Sequence, residues 1–144
     1  MTQINLRELQ PVAVFGVSSR GQGFGTIALK ELRKAGIEAY AVNPKGGEWK
    51  DIRLFKSLQE LPKPAKVSVI LTKSNGALHA VEESAANGVK WIWLQGGSNT
   101  AEIRKRCTEL GLEALHDECI LMRLSGFPHS LHRFLHDLFS RRHD

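Results

Sequence analysis

Five short apolar runs alternate along the chain with segments of helical periodicity, and this alternation limits the fold more than any other feature. The runs are rich in valine, isoleucine, alanine and aromatic residues, which is typical of strands buried on both faces. They span residues 11–17, 37–42, 66–72, 89–95 and 112–116. Apolar side chains at helical spacing predict helices between and after the runs, over residues 24–35, 56–62, 76–87, 99–111 and 129–140. Asn99 is the predicted N-cap of its helix, because Glu102 three residues later can complete a capping box.

Short connections between strands and helices predict a parallel sheet with helices on both of its faces. We therefore expect an α/β protein with a three-layer, doubly wound Rossmann-like fold and a five-stranded parallel sheet. A chain of 144 residues is long enough to bury a core and is expected to form a single domain over residues 1–144.

The net charge and hydropathy of the chain indicate which classes of molecule it can bind. No apolar run approaches the ~20 residues that cross a bilayer, and the N-terminus has no secretory pattern, so we expect a cytoplasmic protein with no membrane partner. The net charge of +5 favours an anionic partner such as nucleic acid, phospholipid headgroups or a phosphorylated small molecule. Nucleic acid is an unlikely partner because no recognition-helix pattern or aromatic RNA-binding motif is present. Small proteins of this design often pair, so a homodimer is one expected assembly.

A glycine-rich loop follows the first predicted strand, where doubly wound proteins usually bind a phosphate. Unpaired amides and the dipole of the following helix attract anions there, and glycines let the anion come close. The loop lacks the GxGxxG fingerprint, because Thr26 stands where the third glycine is needed, and it contains no Walker A sequence. The second strand ends in the neutral and basic sequence "AVNPK" instead of a carboxylate, which disfavours NAD and favours a ligand with an extra phosphate near Lys45. A surface loop without a ligand is the alternative.

Five segments, "GVSS…G", "AVNPK", "KSLQELPKPAKVSVIL", "VKWIWLQGG" and "GLEALHDECILM", resemble the small stand-alone coenzyme A-binding proteins in order and spacing. They are also similar to the coenzyme A-binding domain of succinyl-CoA synthetase α subunits and NDP-forming acyl-CoA synthetases. The resemblance covers roughly residues 10–122. It implies coenzyme A (CoA) or an acyl-CoA as cofactor. No metal site is expected. The cofactor-binding residues that follow from the loop argument and the resemblance are Gly16, Ser18, Ser19, Arg20, Gly21, Gly25, Asn43, Pro44, Lys45, Thr72, Lys73, Ser74, Gln95 and Gly96.

The chain also departs from that family. Common members carry an aspartate near the third strand, where this chain has Lys66, Val67 and Ser68. The phosphorylated histidine of the synthetases lies in a further domain that this sequence does not contain. The resemblance therefore implies CoA binding but does not imply ligase activity. We expect the chain to have no catalytic activity of its own, and no catalytic residue is assigned. The alternatives are the CoA-site subunit of a two-component acyl-CoA ligase and an NADP-binding oxidoreductase or redox sensor.

Several other side chains have both a chemical and a structural interpretation. Cys119 is either a reactive thiol near the ligand or a buried cysteine, whereas Cys107 is expected in the core. Trp49 is a candidate for a ligand contact, while Trp91 and Trp93 either stack on an adenine or fill the core. His129, His132 and His136 share one helical edge, which is more typical of a solvated or subunit-contacting surface than of a metal site.

Overall fold

The computed structural model describes residues 5–116 and 119–120, and this part of the chain forms seven strands and three α-helices. The elements in chain order are β1 (Val12–Phe15), α1 (Phe24–Lys34), β2 (Ala39–Val42), β3 (Glu48–Trp49), β4 (Ile52–Phe55), β5 (Val67–Ile70), α2 (Ser74–Ala86), β6 (Trp91–Leu94), α3 (Ala101–Glu109) and β7 (Glu113–Leu115). Short 3-10 helices cover Leu58–Glu60 and Gly96–Ser98. The helix predicted over residues 129–140 lies outside the described residues.

The strands form one sheet in the order β3-β4-β2-β1-β5-β6-β7. All neighbouring pairs are parallel except β3 with β4, which is antiparallel. The α/β Rossmann-like class is therefore confirmed, but the prediction of five strands was wrong. The additional strands β3 and β4 form a hairpin at one edge of the sheet. The chain between residues 46 and 55 lacks a long apolar run, so the sequence pattern gave no strand there.

The sheet separates the core into two layers, because successive side chains of a strand point to opposite faces. Val12 and Val14 of β1 pack with α1 on one face, while Ala13 and Phe15 pack with α2 and α3 on the other. All four are 5% exposed or less. The expected three-layer arrangement, with helices on both sides of the sheet, is confirmed.

The strand order reverses between β1 and β5. From β1 the chain builds β2, β4 and β3 on one side, then returns to place β5, β6 and β7 on the other. The carboxyl ends of β1 and β5 stay together, and the Leu71 amide donates to the Phe15 carbonyl at 3.0 Å. In open α/β sheets, ligands bind in the crevice outside the strand ends at this reversal. Within the described residues, no helix combines the length and apolar character needed to span a bilayer.

Candidate cofactor-binding site

The amino terminus of α1 lies directly after β1, at the reversal of strand order. Gly23 is its N-cap, with φ +88°, and no side chain caps the helix or places a carboxylate in its first turn. The first amides of a helix have no partner within the helix and carry partial positive charge. Because no side chain of this segment neutralises them, the start of α1 can attract an anion.

Two glycines bring the helix and the strand end close together. A Cβ at Gly25, in the first turn of α1, would lie 2.2 Å from the Gly16 carbonyl oxygen. Gly16 itself has φ +112°, and a Cβ at this position would lie 3.2 Å from the Cβ of Leu71, which follows β5. The absence of side chains at these two positions therefore lets β1, α1 and β5 converge on one point.

A tight turn shapes the loop between β1 and α1. The Ser18 hydroxyl accepts from the Arg20 amide at 3.0 Å, and the Ser18 carbonyl accepts from the Gly21 amide at 3.1 Å. Ser19 and Arg20 are exposed at the top of this turn. Gly21 leaves room for Trp49, because a Cβ at position 21 would lie 2.1 Å from the Trp49 indole. Trp49, which sequence analysis singled out as a ligand contact, thus packs directly on the glycine loop.

Asn43 connects the loops that follow β1 and β2. Its side-chain amide donates to the Val17 carbonyl at 3.0 Å, and its side-chain oxygen accepts from the Lys45 amide at 2.9 Å. The side chain of Asn43 therefore joins the two loops. Pro44 and Lys45 are exposed beside it.

The loop after β5 carries a second helix start and two unusual features. Lys73 is the N-cap of α2, which no side chain caps, and Ser74 has φ +55°, a left-handed conformation that is rare outside glycine. The Thr72 hydroxyl is buried without a hydrogen-bond partner among the described residues, and so is that of Thr26 in the first turn of α1. A buried unpaired hydroxyl costs about 1–3 kcal/mol, so a ligand group that paired with either hydroxyl would remove this cost.

The loop after β6 is fixed by hydrogen bonds within the protein. The Gln95 side chain accepts from the Ile120 amide at 2.8 Å and donates to the Cys119 sulfur at 3.2 Å. Ser98, which is fully buried, donates to the Ile70 carbonyl at 2.5 Å and accepts from the Gln95 amide at 2.9 Å. Gly96 lies between them, with φ +68°. Ser98 was not predicted as a site residue, because a serine in "QGGSN" resembles any loop residue.

Positive charge is left unpaired at this edge of the sheet. Arg20, Lys45 and Lys73 are exposed, and none forms an ion pair with a carboxylate of the described residues. The ion pairs observed lie elsewhere, for example Lys63 with Glu38 at 3.1 Å. The fourteen predicted binding residues all lie in the loops and helix starts after β1, β2, β5 and β6, which meet at one edge because these strands are parallel.

The cysteine and tryptophan candidates lie in different parts of the structure. Burial raises the pKa of the Cys107 thiol to about 11, whereas Cys119 is half-buried beside Gln95. Trp93 is fully buried in the core. Trp91 begins β6, so it lies at the opposite edge of the sheet from the predicted site, where it lines a cavity of about 590 Å³ with Pro11, Lys66 and Lys90.

The departure from the family pattern near the third predicted strand lies in the core. Ser68, at the departure from the family pattern, is buried in the middle of β5 and accepts from the Ser84 hydroxyl at 2.8 Å. Residues 5–116 and 119–120 contain no cluster of three histidine, cysteine, aspartate or glutamate side chains that could hold a metal. His129, His132 and His136 lie outside the described residues.

Known proteins match the chain over most of its length. The family model described as a CoA binding domain matches residues 10–125. The uncharacterized protein YneT of Bacillus subtilis strain 168 is 26% identical over 115 residues, which are 80% of this chain and 85% of YneT. A conserved hypothetical protein from Pyrococcus furiosus is 31% identical with a TM-score of 0.70, over 78% of this chain and 97% of its own. The fold alone is shared with dinucleotide-forming acetyl-coenzyme A synthetase 1 of Candidatus Korarchaeum cryptofilum, at 22% identity and a TM-score of 0.61, over 76% of this chain and 26% of that one.

Proposed function

Because the chain belongs to the CoA-binding domain family, we propose that it binds coenzyme A or an acyl-CoA at the carboxyl edge of its sheet. The observation that carries this proposal is the start of α1, which lies at the reversal of strand order with neither a side-chain cap nor an acidic residue in its first turn. The pyrophosphate of CoA is the group that such a helix start accepts.

Each loop at this edge supplies one kind of contact in the proposed complex. The amides at the start of α1 donate to the pyrophosphate. Arg20 and Lys45, which are exposed and form no ion pair among the described residues, approach the phosphate groups of the ligand. The hydroxyls of Thr26 and Thr72 have no protein partner among the described residues, so a polar group of the ligand can satisfy them. Cys119 is a free thiol beside the loop after β6. This set of groups supports binding, and we assign no reaction to it.

NADP is the second candidate ligand. The chain after β2 presents Asn43, Pro44 and Lys45 where NAD enzymes carry a carboxylate for the ribose hydroxyls, and a basic residue there suits a ribose phosphate. The shared fold with an acetyl-coenzyme A synthetase also leaves a role as the CoA-site subunit of a two-component ligase as an alternative.

Calorimetric titration with CoA, acetyl-CoA, NADPH and ATP tests the proposal. We expect binding of CoA or acetyl-CoA, and a loss of about 1–3 kcal/mol in Arg20→Ala and in Lys45→Ala, because each removes a charge-assisted phosphate contact. Lys34→Ala is the matched control, since Lys34 is an exposed lysine at the opposite end of α1. Normal CoA affinity in both variants would show that the pocket is wrongly placed. Tight NADPH binding without CoA binding would reverse the order of the two candidates.

A further inference from the structure

The hairpin of β3 and β4 reaches the glycine loop through its tip, which we define as Trp49, Lys50 and Asp51. β3 pairs with β4 so that Trp49 is opposite Ile52, leaving Lys50 and Asp51 as a two-residue turn. The Trp49 indole lies 2.1 Å from the position that a Cβ of Gly21 would take. An element that the five predicted strands did not include thus contacts the loop that is proposed to bind phosphate.

Two lysines are held against the Trp49 ring. The ammonium nitrogen of Lys30, on α1, lies 4.5 Å from the ring centroid, and that of Lys50 lies 5.0 Å from it. Cation–π attraction operates within about 6 Å, so the ring fixes both charges beside the glycine loop. Glu48 and Asp51 are the carboxylates of the hairpin, and neither forms an ion pair with Lys30 or Lys50 among the described residues.

Lys50 keeps this position in an unfavourable backbone conformation. Its φ of +56° lies in the left-handed region, which two-residue hairpin turns normally fill with glycine, asparagine or aspartate. A strained residue next to a candidate site motivates a functional hypothesis. A glycine at this turn would adopt the positive φ without strain, but it would lack the positive charge of Lys50.

The location of these lysines suggests the group that they bind. β2 and the hairpin lie on the same side of β1 in the sheet. In doubly wound folds the ribose of a bound nucleotide lies toward the end of β2, where basic residues accommodate a ribose phosphate. We propose that Lys30 and Lys50, positioned by Trp49, bind a phosphate monoester on the ribose of the ligand. This inference rests on the proposed nucleotide site, and its expected occupant is the 3′-phosphate of CoA.

The test compares ligands that differ only in this phosphate. Calorimetry measures CoA against 3′-dephospho-CoA and NADP against NAD, in the wild type, Lys30→Gln, Lys50→Gln and the control Lys34→Gln. We expect the wild type to bind CoA about three- to tenfold more tightly than dephospho-CoA, as for exposed charge-assisted contacts. Lys30→Gln and Lys50→Gln should each reduce this ratio and leave dephospho-CoA affinity unchanged, whereas Lys34→Gln should keep the ratio.

Two further variants separate binding from folding. Lys50→Gly removes the charge and also relieves the positive φ, so we expect a more stable hairpin with a reduced CoA preference. Trp49→Leu removes the ring that positions the lysines, and we expect it to lower the same ratio while both lysines are present. A loss of affinity that is equal for CoA and dephospho-CoA in Trp49→Leu would contradict the positioning role.

The possible results of these titrations test the ribose-phosphate site and the proposed CoA binding separately. Equal wild-type binding of CoA and dephospho-CoA would overturn the inference and leave CoA binding intact. A lysine-dependent preference for NADP over NAD, without CoA binding, would overturn the proposed function and support the ribose-phosphate site. Binding of none of the four ligands would overturn both.

Discussion

The first turns of α1 and α2 each contain a glycine, Gly25 and Gly76, and the two are in different surroundings. A Cβ at Gly25 would collide with the Gly16 carbonyl at 2.2 Å, whereas a Cβ at Gly76 would lie 3.6 Å from the Thr72 Cβ, an ordinary contact. Neither has a positive φ, so the difference lies in the space available. Gly25 is therefore a structural requirement of the site, independent of any ligand.

We expect Gly25→Ala to lower the free energy of unfolding by about 2–3 kcal/mol, because the first turn of α1 must shift away from β1. Gly76→Ala is the matched control and should raise that free energy by up to about 1 kcal/mol, since alanine favours a helix over glycine. Urea unfolding of both variants measures the difference. Similar free energies for the two variants would show that α1 does not depend on this close approach.

At the scale of elements, Ser98 connects β5 to the loop after β6. Ser98→Ala would leave the Ile70 carbonyl and the Gln95 amide without their partner in a buried position. We expect the free energy of unfolding to fall by about 1–3 kcal/mol. Ser19→Ala, at an exposed serine of the glycine loop, should change it by less than about 0.5 kcal/mol. Equal unfolding midpoints in urea for the two variants would argue against this connection.

Sequence periodicity was sufficient to predict the strands that are buried on both faces of the sheet. The runs at residues 11–17 and 66–72 contain β1 and β5, whose residues are entirely buried and therefore had to be apolar or small. β3 was not predicted because it has only two residues, Glu48 and Trp49, neither of them buried. β4 was not predicted because the exposed Arg53 interrupts its apolar residues, so the chain shows no continuous apolar run there. The cap of α3 also differs by one position: the Thr100 hydroxyl accepts from the Ile103 amide at 3.2 Å.

Asn99 does not cap α3 because its side chain has two other partners. It donates to the His116 carbonyl at 2.8 Å and accepts from Arg104 at 2.6 Å. These contacts could not be predicted from the local sequence, and the same is true of several contacts in the candidate site. Sequence spacing placed the loops at one edge of the sheet, but the contacts of Gln95 with Cys119 and of Trp49 with Gly21 depend on tertiary packing that no local pattern records.

At the scale of the whole molecule, the site draws on four neighbouring strands of one sheet. The loops that follow β2, β1, β5 and β6 come from consecutive positions in the strand order. A ligand that contacts all four loops therefore depends on the central strands that carry them, and these strands pack against both layers of the core. Its binding should therefore stabilise the folded chain as a unit and not one loop alone.

This linkage predicts a concentration-dependent rise in the unfolding temperature. At a free concentration about 100 times its Kd, a ligand that binds only the folded chain adds about 2.7 kcal/mol to the free energy of unfolding, which corresponds to about 5–10 °C in Tm for a chain of this size. We expect CoA to produce this shift in thermal melts of the wild type and sodium chloride to reduce it, because the cations at the site are exposed. The Arg20→Ala, Lys45→Ala double variant should show a smaller shift at the same CoA concentration, whereas Lys34→Ala should match the wild type. An equal shift in the double variant and the wild type would mean that CoA binds elsewhere on the molecule.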